Sequence, residues 1–118
     1  MQPIRGTSSI LVNPATVIAT ERRLLAHERR RLYASVDSAM QAIDKLDKEK
    51  DLRGQLSKKG LPVPDNDSLG YFLLRTYRAH IYRKAPLDDN FLGLGREVSN
   101  LLKNMDEDLQ IASQITFC

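Results

Sequence analysis

The chain has 118 residues, a formal net charge of +3, one cysteine and no tryptophan. That length holds one domain with a modest core, and the lone Cys118 excludes an internal disulfide framework and a cysteine-based zinc site while suiting a reducing, intracellular compartment, cytoplasmic or nuclear. No apolar run approaches the roughly 20 residues of a membrane span, and a composition rich in Leu, Ala, Arg, Lys, Glu and Asp but poor in aromatics predicts an all-α fold.

Residues 1–13 place the turn-formers Pro3, Gly6, Ser8, Ser9 and Asn13 around an aperiodic Ile10-Leu11-Val12 triplet, the pattern of a flexible arm. Arg5 is the only base before Thr20 and Asn13-Pro14 interrupts the segment, so it makes a poor secretory or transit signal. Asn13 as a cap and Pro14 at the first helical position then start a helix expected over about 15–58. Ile18, Leu25, Leu32, Val36, Ala39, Ile43 and Leu46 form its apolar stripe, in which Glu21 and Glu28 also fall. Carboxylates are costly to bury unpaired, so the first half of this helix is expected to be partly covered or to meet a basic partner. Asp44 with Lys48 and Glu49 with Arg53 support the outer surface four residues apart, Gly54 weakens the helix, and Lys58-Lys59-Gly60 ends it.

Leu61 to Asp67, with two prolines, reads as an extended linker. A second helix follows over about 68–84, with Leu69, Phe72, Leu73 and Ile81 as its apolar side, and Ala85-Pro86 breaks it. The third helix is expected over about 87–116 on the stripe Phe91, Leu94, Val98, Leu101, Leu102, Met105, Leu109 and Ala112. Gly93 and Gly95 are out of place there: they allow close backbone approach, or the helix begins properly only at Arg96.

At 1.5 Å per residue the three helices span about 65, 25 and 40 Å, so the two short ones cannot cover the long one evenly. Either the long helix bends near Gly54 or part of its stripe is left for another chain, and the second reading is adopted. The predicted architecture is a three-helix, antiparallel, coiled-coil-like bundle in a single domain of residues 14–118, with protein partners engaged through helix packing as a homodimer or a heteromeric complex.

No catalytic or metal-binding constellation is present. His27 and His80 lack an HExxH context, the serines lack a nucleophile elbow, and Gly93-Leu94-Gly95 lacks the third glycine and the preceding strand of a dinucleotide loop, so neither enzyme activity nor a cofactor is expected. His80 reads as a hydrogen-bonded histidine on the apolar side of its helix. The contact-forming side chains are clearer. Tyr71, Arg75, Arg78 and Tyr82 recur at steps of four, three and four, one aromatic and basic stripe of the residue types that concentrate binding energy. Arg22, Arg23, Arg29 and Arg30, beside Leu25 and Leu32, supply a second candidate surface. Glu21 to Arg31 carries five arginines against two glutamates, and residues 85–118 carry six acids against Arg96 and Lys103, so the segments can neutralise one another. These residues point to a non-enzymatic interaction module, adaptor or assembly subunit; the alternative is a small nucleic-acid-binding protein gripping phosphates with the same arginines and stacking bases on the tyrosines. The terminal Ile115-Thr116-Phe117-Cys118 has the form of a peptide ligand for a carboxylate-binding groove and is not a prenylation box.

Overall fold

The computed structural model describes residues 14–115; the expected arm and the terminal Thr116, Phe117 and Cys118 lie outside them. Within that range the chain is all-α: α1 spans Pro14–Lys50, α2 Leu52–Lys58, α3 Leu69–Tyr82 and α4 Arg96–Gln114, with one 3-10 turn at Phe91–Gly93.

The predicted first helix is two helices, and the break falls at Asp51 rather than Gly54. Asp51 adopts the left-handed conformation (φ 53°), which a short polar side chain tolerates better than most. Its carboxylate accepts the Gly54 amide (3.2 Å) while Asp47 Oδ1 accepts the Arg53 amide (3.0 Å), so two orphan donors of α2 are capped at once. Gly54 serves this cap, since a Cβ there would collide with the Asp51 carboxylate. Arg53 then ties down the linker, donating to the Asp67 carbonyl (2.7 Å) and the Pro64 carbonyl (3.4 Å).

Ser68 caps α3 by accepting the Tyr71 amide at 3.4 Å. The buried face of α3 is Leu69, Leu73, Leu74 and Tyr77, with Gly70 facing Met40 of α1 so closely that a side chain would displace the methionine sulfur. Phe72 is only partly buried and Ile81 is exposed, so the apolar face is rotated from the predicted one. Arg83 to Gly95 carries the chain back along the body. Phe91 anchors it, edge-on to Tyr77 (5.3 Å) and His80 (5.0 Å), with its amide donating to Ser99 Oγ at 2.7 Å. Lys59 holds the Leu92 carbonyl. With Gly95 at φ 110°, α4 starts at Arg96, the later of the two expected starts.

This return sets the topology. Met40 meets Gly70 while Tyr33 meets Tyr82, so α3 runs antiparallel to α1; Arg78 meets Asp106 while Tyr82 lies beside Gln110 and Ser113, so α3 and α4 run parallel. The wholly antiparallel bundle is therefore corrected, because the long return loop lets two successive helices point the same way. The core between them comprises Val36, Ala39, Ile43 and Leu46 of α1, Leu52 and Leu56 of α2, Leu69, Leu73, Leu74 and Tyr77 of α3, and Phe91, Leu94, Val98, Leu102 and Met105. Leu32 is the first buried residue of α1. The 18 residues before it project beyond the body as a stalk of about 27 Å, which gives the chain its elongated extents of 69 × 28 × 28 Å.

Candidate functional site

Two adjoining surfaces hold the candidate residues. The first is the stalk. Val17, Ile18, Leu24 and Leu25 lie on one side of it at 42, 49, 64 and 39% exposure, an apolar face of the kind a lone chain ordinarily covers. Glu21 sits at its centre, because its neighbours three and four residues away are those same four side chains. Glu28, one heptad on, is gripped by Arg31 of its own helix through both carboxylate oxygens. That hydrogen bond, with the arginine charge, holds the Glu28 carboxyl below its ordinary range. Arg22, Arg23 and Arg30 stand exposed around the stalk, and Arg29 is partly covered.

The second surface is a groove of about 530 Å³ where the stalk meets the body, lined by Tyr33 of α1, Ile81 and Tyr82 of α3, and Leu109, Gln110 and Ser113 of α4. Its floor is an ion pair: Arg78 Nε donates to Asp106 Oδ1 at 2.7 Å, and Gln110 Nε2 donates to Asp106 Oδ2 at 2.7 Å. Asp106 is 6% exposed, so its charge is compensated inside the fold. Arg29 connects the two surfaces, its guanidinium lying 5.6 Å from the centre of the Tyr33 ring with Nη2 3.5 Å from the phenol oxygen.

The predicted stripe on α3 is thereby divided. Arg78 and Tyr82 belong to the groove, whereas Tyr71 and Arg75 stand at the opposite end of α3, Arg75 above the Tyr71 ring (5.3 Å) and 3.8 Å from Asp67. Arg78 does not project from the face opposite the core; its guanidinium neutralises a buried carboxylate. Leu32 is also corrected: at 2% exposure it is packed within the chain and offers no contact surface, while Leu25, seven residues earlier, is open. Tyr33, Leu24 and Val17 were missed, although Tyr33 follows the chosen Arg29 by four residues and Val17 precedes the equally missed Leu24 by seven, spacings that share a helix face. Among the described residues no cluster of three or more His, Cys, Asp or Glu could hold a metal ion, and no helix is long and apolar enough to cross a membrane. His80 Nδ1 lies 3.0 Å from the Thr76 carbonyl with its ring against Phe91, a packing role. Compared with models of known protein families, with curated proteins and with solved structures, the chain matches none of them.

Proposed function

We propose that the chain is a non-enzymatic helical interaction module, an adaptor or assembly subunit whose stalk docks against another protein surface. The observation that carries this reading is the run of Val17, Ile18, Leu24 and Leu25, exposed on one side of a helix that continues into the core stripe of the body. An apolar helix face of about two and a half turns gains stability when covered, and helix-to-helix packing is how α1 already buries the continuation of the same stripe. The Tyr33, Ile81 and Tyr82 groove extends the surface with aromatic and apolar side chains of the kind that anchor interfaces.

A photo-cross-linking residue at position 24, compared with one at exposed Lys45 on the body, tests the proposal in cells. Protein adducts from position 24 and none from Lys45 support it; no protein adduct from position 24 overturns it. The nucleic-acid reading receives less support. Arg22, Arg23, Arg29 and Arg30 share one arc of about 120° at 100° per residue, but Glu21 and Glu28 stand beside that arc and Arg31 is paired with Glu28. Nuclease-sensitive adducts at position 24, weakening steeply with salt, would favour that alternative.

A further inference from the structure

The groove between stalk and body holds a cation that is only half used. Arg78 gives Nε to Asp106 Oδ1 at 2.7 Å, while its Nη1 and Nη2 make no hydrogen bond among the described residues. The side chain is 45% exposed and lines the groove, so the remaining donors are offered there. The guanidinium is also pinned from behind, because the nearly buried Asp106 is itself held by Gln110 Nε2 at 2.7 Å. A donor fork fixed in this way loses little freedom when a ligand takes its open edge.

The surroundings say what that ligand must carry. Tyr33, Ile81, Tyr82 and Leu109 share the groove with Arg78, so a surface that covers these side chains covers the Nη donors as well. A purely apolar cover would strand them without an acceptor. The open edge presents parallel N–H bonds at the spacing of two carboxylate oxygens, the pairing that arginine makes best. Tyr33 Oη accepts from Arg29 Nη2 (3.5 Å), which leaves the phenol proton for the same occupant. A nucleic acid fits less well: its affinity comes from runs of uncompensated cations, and Asp106 offsets the charge of Arg78 without closing its fork. We propose that this groove binds an acidic segment of a partner protein, an Asp or Glu whose carboxylate takes the Nη edge of Arg78 while a neighbouring apolar side chain packs among Tyr33, Ile81 and Tyr82.

The inference deepens the interaction-module reading and rests on it. Random peptides of about twelve residues, displayed on phage and selected on the full chain, are expected to converge on an acid beside an apolar residue. The tightest of them, made synthetically, is the probe. Replacing its carboxylate by the amide, or Arg78→Lys in the chain, weakens binding about tenfold or more, and the two changes together weaken it little further. Arg78→Lys keeps a cation against Asp106, so the loss reads the fork rather than the charge, and a denaturant melt shows that the fold holds. Tyr82→Ala alters the same groove at a side chain that is 89% exposed, with no core packing at stake, and weakens the probe about threefold or more. Peptides selected without an acid, an amide probe that binds as tightly as the acid, or losses that simply add overturn carboxylate recognition. A thymidine oligonucleotide that displaces the probe, or a wild-type chain that dimerises in sedimentation equilibrium while Tyr82→Ala stays monomeric, overturns the acidic partner as occupant. If no peptide is selected while position 24 still gives protein adducts, the groove proposal falls and the interaction module stands; failure of both removes the two together.

Discussion

The two halves of α1 share one helix and one apolar stripe, yet from Leu32 onward the stripe is sealed and before it the stripe is open. Both halves satisfy the same heptad-like spacing, so spacing alone does not separate them. What separates them is reach: α4, at 19 residues, covers about 29 Å of an α1 that runs about 56 Å. The side chains reflect the difference. The covered half uses Val36, Ala39, Ile43 and Leu46 without interruption, whereas the open half admits Glu21 and Glu28 among its leucines. A stripe that alternates apolar residues with carboxylates suits a surface that is solvated part of the time, and an uninterrupted one suits a permanent core.

The comparison breaks first if the body is not the source of stability. Leu102 is fully buried among residues of all three longer helices, and Leu102→Ala is expected to cost about 2–5 kcal/mol, the lost transfer energy plus that of the cavity left behind. Leu101, its partly buried neighbour, should cost visibly less when truncated, a distinction the stripe alone does not draw. Chemical denaturation of both variants measures the difference, and equal losses would mean that α4 is not seated as described. Arg78→Ala comes next, at about 1–3 kcal/mol, because it strips the nearly buried Asp106 of its ion-pair partner and leaves only Gln110. Asp106→Asn in the same background should recover part of the loss by removing the stranded charge; no recovery would show that the arginine acts through packing.

Tyr77 sharpens the picture of the body through pH. Burial, together with the negative charges of Asp106 and Glu107, raises its phenol above the ordinary value near 10. The native state then keeps this proton after the unfolded chain has released it. The resulting stability is complete below about pH 10 and is lost as pH climbs from there through the native value. Urea melts across the alkaline range are expected to show this decline in the wild type and a shallower one in Tyr77→Phe. Identical slopes would place the phenol in water.

Much of this fold is legible in the residues because it rests on local chemistry. The Ser68 cap, the stop at Lys58-Lys59-Gly60, the break after α3 and the α4 stripe follow from side chains acting within a turn or two of themselves. The Asp51 break was not legible in the same way: it needs Asp47 and Asp51 to cap α2 together, and neither residue taken alone marks a helix end. The parallel course of α3 and α4 depends on where Phe91 docks between Tyr77 and His80, a tertiary fact. The candidate site divided along the same line. The exposure of Leu25 follows from excess helix length, while the inward role of Arg78 was hidden because its partner, Asp106, is 28 positions away.

The smallest expected effect is the most direct probe of the two halves. Leu25 and Leu32 are both leucines, seven residues apart on one stripe, and differ only in cover: 39% exposed against 2%. Leu25→Glu, measured at low concentration, removes little packing within the chain and places a charge at a solvent-facing position, so the melt should move by less than about 0.5 kcal/mol. Leu32→Glu inserts the same carboxylate into the body without a partner and should cost several kcal/mol, about 3 or more. Circular dichroism melts of the two variants, side by side and at low concentration, make the test. A large loss from Leu25→Glu would mean that another part of the same chain covers the stalk, and the face proposed to meet a protein partner would then already be occupied.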